Sequence, residues 1–259
     1  MKKVLPDLIY PDWEAPGNVR AFSTVRYGGV SLPPYHGRDM RDGGLNFAMH
    51  VGDAISSVEA NRDMLREMLP AEPLWLEQVH GTVVADAAEP VLLPQADGSF
   101  SGRPEEVCVV LTADCLPVLL CDAKGRTVAA VHAGWRGLAG GILESALFSM
   151  RRRHADEILA WLGPAIGPQS FEVGEDVPQA FGARYGDIVL HKACFLPLRQ
   201  TKGKYLADIY ALARVILEKN QVFRISGGGF CTVHEEKRFY SFRRDGITGR
   251  MASCIWLLG

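Results

Sequence analysis

The chain has 259 residues, of which 47% are hydrophobic and 22% charged, and its 28 Lys and Arg residues nearly balance its 30 Asp and Glu residues. This composition is typical of a globular protein with a large core, and the near-zero net charge argues against nucleic acid as a partner. The first seven residues lack the apolar run of a signal peptide, and no stretch has the length of a membrane span. We therefore expect a cytoplasmic protein with no membrane partner.

Short apolar runs between turn residues predict strands, and apolar residues at helical spacing predict helices. In chain order the predicted strands cover residues 19–24, 74–76, 107–112, 118–121, 127–131, 158–162, 223–226 and 255–258. The predicted helices cover residues 58–69, 138–150 and 206–217. This mixture indicates an α/β or α+β class. No linker or low-complexity tract interrupts the chain, so we expect one domain over residues 1–259.

Three residues carry the strongest chemical signal. His80 lies in Gln78-Val79-His80-Gly81, Cys115 in Ala113-Asp114-Cys115-Leu116-Pro117, and His132 in His132-Ala133-Gly134-Trp135-Arg136-Gly137. Two imidazoles and one thiolate form a three-ligand metal set, which leaves a tetrahedral position free for water or substrate, as in catalytic zinc sites. A non-catalytic zinc module would require a fourth protein ligand, and the sequence shows none.

The predicted hairpin between residues 118–121 and 127–131 brings two of these residues together. If Asp122 faces Gly125, His132 lies directly opposite Cys115; a three-residue loop would shift its partner to Leu116. Directly opposed residues hold their Cβ atoms roughly 4.5–5.5 Å apart, which allows a thiolate and an imidazole to share one ion. His80 is more remote in the sequence, and its membership of the set depends on the fold.

Arginines near turns are candidate anion ligands. Arg136 lies in a glycine-flanked turn before a helix, where it could bind phosphate, although Gly134 and Gly137 equally fit a tight strand-to-helix turn. Arg243 and Arg244 follow an aromatic run, and a guanidinium suits phosphate or carboxylate ligands. The alternative for these two is a surface ion pair with Asp245.

Five ordered motifs carry a family resemblance. They are Gln78-Val79-His80-Gly81, Thr112-Ala113-Asp114-Cys115-Leu116-Pro117-Val118, His132-Ala133-Gly134-Trp135-Arg136-Gly137, Leu162-Gly163-Pro164-Ala165-Ile166-Gly167, and Ser241-Phe242-Arg243-Arg244-Asp245 followed by Thr248-Gly249-Arg250. With them the chain resembles the YfiH family, also called the laccase-domain or multicopper polyphenol oxidase-like family. The similarity extends from about residue 22 to residue 257.

The resemblance implies a single four-layer α/β/β/α domain with zinc, rather than copper, on His80, Cys115 and His132. It implies phosphorolysis of adenosine, inosine, guanosine or methylthioadenosine, and deamination of adenosine, so the partners are a purine nucleoside and phosphate. The family usually has a compact Ser-Leu-Asn-Leu-Gly run; here residues 38–44 precede Asn46, so the loop that carries this candidate pocket residue is expected to be longer.

Further roles are expected within this interpretation. Asp114 and Glu172 are the candidate general acids, and Arg136, Arg243 and Arg244 the candidate substrate-binding arginines. The protein is expected to be a monomer or a weak homo-oligomer.

Two rival activities remain open. One is a hydrolase of cytoplasmic peptidoglycan precursors, with Cys115 as nucleophile and a histidine as base. The other is a copper-dependent polyphenol oxidase, since two His and one Cys also suit copper. A laccase needs a copper cluster rich in paired imidazoles, and the chain has seven histidines with no His-x-His pair.

Overall fold

A computed structural model describes residues 7–89, 92–186, 194–199 and 201–259 of the chain. Within these residues the strands β1 to β14 are Leu8–Ile9, Val19–Thr24, Tyr27–Ser31, Val84–Asp86, Gly98–Ser101, Cys108–Thr112, Leu116–Asp122, Val128–Ala133, Ile158–Leu162, Glu172–Gly174, Phe195–Pro197, Lys204–Ala207, Arg224–Gly227 and Met251–Leu257. The helices α1 to α6 are Ile55–Arg66, Trp135–Gly140, Ile142–Arg152, Asp176–Tyr185, Ile209–Lys219 and Phe242–Asp245.

The strands form two main sheets and one small one. One main sheet has the order β1-β2-β14-β6, and all its neighbours are antiparallel. The other has the order β13-β9-β7-β8-β5-β4, in which β13 and β9 and also β4 and β5 run parallel. A three-stranded sheet, β10-β12-β11, lies apart from them.

The apolar core separates four layers. Between the main sheets, Val110 and Ile255 of the four-stranded sheet pack with Leu119 and Trp161 of the six-stranded sheet. The outer face of the six-stranded sheet packs against the helices α2 to α5, and the outer face of the four-stranded sheet packs against α1. The predicted class and the four-layer α/β/β/α arrangement are confirmed, because each main sheet packs against the other on one face and against helices on its outer face.

The strand predictions agree best where β-branched and apolar residues form continuous buried runs. The predicted strands 19–24 and 158–162 coincide with β2 and β9, and β6, β7, β8, β13 and β14 differ from their predictions mainly in their ends. The predicted strand 74–76 is wrong, since only an isolated bridge from Leu74 to Cys108 forms there. The short strands β1, β3 to β5 and β10 to β12 and the helices α4 and α6 were not predicted, because they are too short or too weakly patterned.

The predicted helix 58–69 is displaced by three residues from α1, Ile55–Arg66, and the other two predicted helices differ from the observed ones for local reasons. The predicted helix 138–150 is part of two helices, α2 and α3, because Gly141 between them has a φ of 104°, which a helix cannot continue through. The predicted helix 206–217 begins too early. Asp208 caps α5, its side chain accepting a hydrogen bond from the Ala211 N–H at 2.9 Å, so the preceding residues remain in β12.

The register of the β7–β8 hairpin also differs from the prediction. His132 lies opposite Pro117 rather than Cys115 or Leu116. The loop is longer than expected because the Asp122 N–H donates to the Thr127 carbonyl at 2.9 Å and the buried Asp122 carboxylate binds the Arg126 side chain at 2.8 Å. Because side chains alternate between the two faces of a strand, a shift of two residues keeps every side chain on its predicted face. Cys115 therefore remains on the same face as Pro117, the residue opposite His132.

Candidate metal centre

The structure brings His80, Cys115 and His132 together. His132 lies near the end of β8, Cys115 immediately precedes β7, and His80 lies in the loop before β4. Their ligand atoms all lie within 4.8 Å of one another. Among the described residues, this is the group of His, Cys, Asp or Glu side chains that could hold a metal ion. The two imidazole rings meet edge to face, with their centroids 4.8 Å apart.

The buried carboxylate of Asp97 holds two of these ligands in place. It accepts hydrogen bonds from His132 Nδ1 at 2.8 Å, from the His80 N–H at 2.9 Å and from the Gly81 N–H at 2.6 Å. His80 has a φ of 59°, a conformation that is unfavourable for a residue with a side chain, and these bonds stabilise it. Because Nδ1 of His132 faces Asp97, Nε2 is free to bind a metal ion.

The charges of the centre favour a thiolate. Burial by itself would raise the pKa of Cys115, but the positive charge of His132 and hydrogen bonds from both imidazoles outweigh burial and lower it. Burial would likewise lower the pKa of His132, yet the Cys115 charge and the bond to Asp97 raise it. A metal ion would take the place of the His132 proton, so its binding releases a proton.

The donor set and the space around it fit zinc. In a tetrahedral site with bonds of about 2.0–2.3 Å, ligand atoms lie about 3.3–3.8 Å apart, so a limited inward movement would complete the site. Gly134 lies against the ligands, and a Cβ built there would be 2.7 Å from His80 Nδ1 and 3.1 Å from Cys115 Sγ. Any larger residue at position 134 would therefore clash with the His80 and Cys115 side chains.

Two cavities meet at the centre and share His80, Ala113, Cys115 and Phe242 as walls. The first, of about 270 Å³, is also lined by His132, Gln78, His50 and Arg250; we call it the Arg250 cavity. The second, of about 360 Å³, is also lined by Trp135, Arg136, Asp114, Phe171 and Arg243; we call it the Trp135 cavity. The candidate metal centre is therefore accessible from two chemically different sides.

Two of the three predicted substrate-binding arginines line the Trp135 cavity. Arg136 is exposed, and its guanidinium lies 4.3 Å from the centroid of the Trp135 ring. Arg243 is also exposed, and its Nη1 donates to the Glu172 carbonyl at 3.0 Å. Both charged groups therefore lie where a polar ligand could reach them.

Arg244 and Asn46 have structural partners instead. The Arg244 guanidinium binds the Asp245 carboxylate at 2.7 Å and the Thr232 carbonyl at 2.8 Å, in agreement with the alternative of an ion pair with Asp245. Asn46 is fully buried, and its Oδ1 accepts a hydrogen bond from the Arg250 N–H at 2.9 Å. Asn46 thus positions the residue that lines the cavity, and does not line it itself.

The two candidate acids lie in different surroundings. Asp114 lines the Trp135 cavity, and its carboxylate accepts hydrogen bonds from the Thr232 hydroxyl and from the Arg243 N–H, both at 2.6 Å. Glu172 is exposed in β10, and its carboxylate pairs with Lys204 at 3.5 Å.

Sequence reasoning missed Asp97 and Arg250 as parts of the site. Arg250 belongs to a quoted motif, but nothing in the sequence shows that it turns toward Cys115. Asp97 directly precedes the short strand β5 and belongs to none of the quoted motifs. Chemistry offered one way to look for Asp97. A metal-binding histidine usually donates from its second nitrogen to a carboxylate or carbonyl group, so a buried acidic residue was to be expected near the ligands.

Comparisons with known proteins agree with this fold. The model of the family described as multi-copper polyphenol oxidoreductase laccase matches residues 20–258. The chain therefore belongs to this laccase-domain family, which includes proteins named YfiH.

Two relatives carry the name purine nucleoside phosphorylase. YfiH of Escherichia coli is 50% identical over 254 residues, covering 97% of this chain and 99% of that protein, and PA4543 of Pseudomonas aeruginosa is 48% identical over 247 residues, covering 95% and 97%.

Solved structures share the fold across nearly the whole chain. The Neisseria meningitidis protein NMB0706 matches with a TM-score of 0.86 and 44% identity, covering 97% of this chain and 99% of that one. YlmD from Geobacillus stearothermophilus matches with a TM-score of 0.80 and 27% identity, covering 98% and 100%. In the described part of the chain, each helix is too short or too polar to cross a membrane.

Proposed function

We propose that this protein is a zinc-dependent purine nucleoside enzyme that catalyses phosphorolysis of adenosine, inosine, guanosine or methylthioadenosine, and deamination of adenosine. The observation that carries the proposal is the His80, Cys115 and His132 group at the junction of two cavities. The names of the relatives support a nucleoside substrate. Zinc on these residues would supply Lewis-acid chemistry.

In phosphorolysis, a phosphate oxygen forms a bond to C1′ of the ribose while the bond from C1′ to the purine nitrogen breaks. The electron pair of the broken bond goes to the purine, which takes up a proton. Asp114 lines the cavity and Glu172 pairs with Lys204, so proximity favours Asp114 as the proton source. In deamination, the oxygen of water bonds to the purine carbon and ammonia leaves.

The protein's own residues would position these reactants. Trp135, Phe171 and Phe242 offer aromatic surfaces on which a purine can stack, and Arg136 and Arg243 offer charged donors beside them. The hydrogen bond to Asp97 fixes the orientation of the His132 ring, so this metal-binding side chain would keep one orientation during turnover.

Product analysis tests this proposal directly. The metal-loaded protein is incubated with each nucleoside, with and without inorganic phosphate, and the products are identified by mass. Ribose 1-phosphate, or 5-methylthioribose 1-phosphate from methylthioadenosine, that forms only with phosphate supports phosphorolysis, and inosine formed from adenosine supports deamination. Turnover that persists unchanged in metal-free protein would contradict the proposal.

A matched pair of variants links turnover to the metal centre. His132→Ala should lose both bound metal and turnover, because it removes a buried ligand. His234→Ala removes an exposed imidazole that contacts Ser170 at 3.2 Å, and it should retain both. Loss of turnover in both variants would point to a general defect.

A thiol hydrolase acting on peptidoglycan precursors is the second candidate, because the neighbouring imidazoles lower the pKa of Cys115. In that case metal-free protein would hydrolyse a muropeptide precursor, and alkylation of Cys115 would abolish the activity. A copper oxidase is the third, suggested by the family description. Metal analysis of protein produced with zinc and copper both supplied would test it.

A further inference from the structure

Arg250 is a half-buried cation that lacks a carboxylate partner among the described residues. It precedes β14 and lines the Arg250 cavity. Its Nη1 donates to the carbonyls of Thr248 at 2.9 Å and Gly249 at 3.1 Å, while the described residues offer no acceptor to its Nε or Nη2. The remaining donors are therefore available to a ligand.

The surroundings of Arg250 leave its charge poorly compensated. Burial lowers the pKa of its guanidinium, because desolvation disfavours the charged form, and Cys115 and Asp114 offset this only in part. The described lining of the cavity contains no Asp or Glu, and it includes His50, whose pKa is lowered by burial and then by the charge of Arg250. A partly desolvated guanidinium whose nearest negative charge, the Cys115 thiolate, is shared with His80 and His132 favours an oxyanion ligand.

The arginines of the Trp135 cavity are placed differently. Arg136 stacks on Trp135, Arg243 already binds the Glu172 carbonyl, and the Asp114 carboxylate lies in the same lining. An anion there would meet a like charge, whereas the aromatic walls suit a base. The volume of about 360 Å³ is within the range of ~300–1,000 Å³ typical of ligand pockets, and the 270 Å³ of the Arg250 cavity is below it.

We infer that Arg250 forms an oxyanion subsite for inorganic phosphate beside the metal centre, and that the nucleoside binds in the Trp135 cavity on the other side of Phe242. The inference rests on the proposed function and reassigns the phosphate from Arg136 or Arg243. The two reactants then reach Cys115 and His80, which line both cavities, from different directions and meet at these shared residues. Phe242, 58% exposed, lines both cavities.

The test compares three variants of the metal-loaded protein. Arg250→Gln removes the charge, Arg243→Gln removes a charge from the Trp135 cavity, and Arg152→Gln is a matched control at the exposed end of α3. Binding of inorganic phosphate is measured by calorimetry, and KM is measured separately for phosphate and nucleoside. Metal content and the melting temperature show whether each variant is folded.

We expect Arg250→Gln to weaken phosphate binding by roughly 10- to 150-fold, the loss of charge-assisted hydrogen bonds, and to change the nucleoside KM by less than about 3-fold. Arg243→Gln should raise the nucleoside KM and leave phosphate binding nearly unchanged. Arg152→Gln should change neither the phosphate binding nor the nucleoside KM. Unchanged phosphate binding in Arg250→Gln, with a loss in Arg243→Gln, would overturn the inference. Absence of phosphate binding by the unsubstituted protein would also overturn it.

Two further measurements keep the test decisive if Arg250→Gln is unstable. Arg250→Lys keeps the charge but loses the fork geometry, and it should weaken phosphate binding by roughly 3- to 10-fold. In the unsubstituted protein, phosphate should protect Arg250 from modification by phenylglyoxal, whereas Arg136 and Arg243 should still react. Mass spectrometry identifies the modified arginines. Protection of Arg136 or Arg243 instead of Arg250 would contradict the assignment.

Different results would contradict the proposed function and the phosphate subsite. If the protein does not convert any nucleoside in the presence of phosphate, the proposed function fails, while calorimetry and phenylglyoxal mapping still report on the subsite. Adenosine 5′-monophosphate serves as a second probe, because a nucleotide carries the same anionic group. Arg250-dependent binding of the nucleotide without binding of inorganic phosphate would overturn the assignment of a phosphate acceptor.

Discussion

Gly134→Ala is the substitution that probes the metal centre most selectively. The new Cβ would lie 2.7 Å from His80 Nδ1 and 3.1 Å from Cys115 Sγ, so at least one ligand has to move. The backbone at Gly134 has φ −63° and ψ 157°, which alanine adopts without strain. The perturbation therefore acts on the ligands and only weakly on the fold.

The expected magnitude follows from these distances. Displacing a ligand by several tenths of an ångström resembles the loss of a group that orients it, which typically weakens metal binding 10- to 100-fold, or by about 1.4–2.8 kcal/mol. Gly134 also caps α2, where alanine is less favourable than glycine by roughly 0.5–1 kcal/mol. We thus expect a large loss of zinc affinity and a small loss of stability in the metal-free protein.

Gly182→Ala is the matched control. Gly182 lies within α4, and a Cβ built there has no atom within 4 Å. The same substitution should therefore stabilise the protein by about 0.5–1 kcal/mol and leave metal binding unchanged. Zinc affinity is measured by competition with a chromogenic chelator, and stability by urea unfolding in EDTA. Unchanged zinc affinity in Gly134→Ala would refute the proposed ligand arrangement.

Three further predictions concern the supports of the site and the fold. Asp97→Asn should weaken zinc binding 10- to 100-fold in the same competition assay, because His132 loses its charged partner, and unaltered affinity would contradict this role. In metal-free protein at pH 7, iodoacetamide should label Cys115 before Cys108, whose pKa burial raises to about 12, and zinc should block the labelling; peptide mapping decides. Asp208→Ala should lower the unfolding free energy by about 1 kcal/mol in denaturant titrations without affecting zinc, since it removes a helix cap.

The sequence predicted those parts of the site that depend on residue type and local pairing. The chemistry of two imidazoles and a thiolate indicated a metal set, and the apolar runs flanking Asp122 indicated the hairpin that brings Cys115 near His132. The register was wrong by two residues because the Asp122 side chain and backbone extend the loop, which depends on contacts that no periodicity reveals.

Other parts could not be predicted because they depend on contacts between distant segments. Asp97 meets the backbone of residues 79–81 and the ring of His132 only after β4, β5 and β8 have assembled. Arg250 faces the centre because Asn46, about two hundred positions away, binds its N–H. Helix α2 ends at Gly141, although the apolar spacing continues through it.

X-ray absorption spectroscopy of the zinc-loaded protein would identify the atoms bound to zinc. We predict one zinc per chain with one sulfur at ~2.3 Å, two imidazole nitrogens at ~2.0–2.1 Å and one further light atom from outside the protein. Cys115→Ser should remove the sulfur signal. A spectrum with two or more sulfurs, or with no sulfur, would contradict the account.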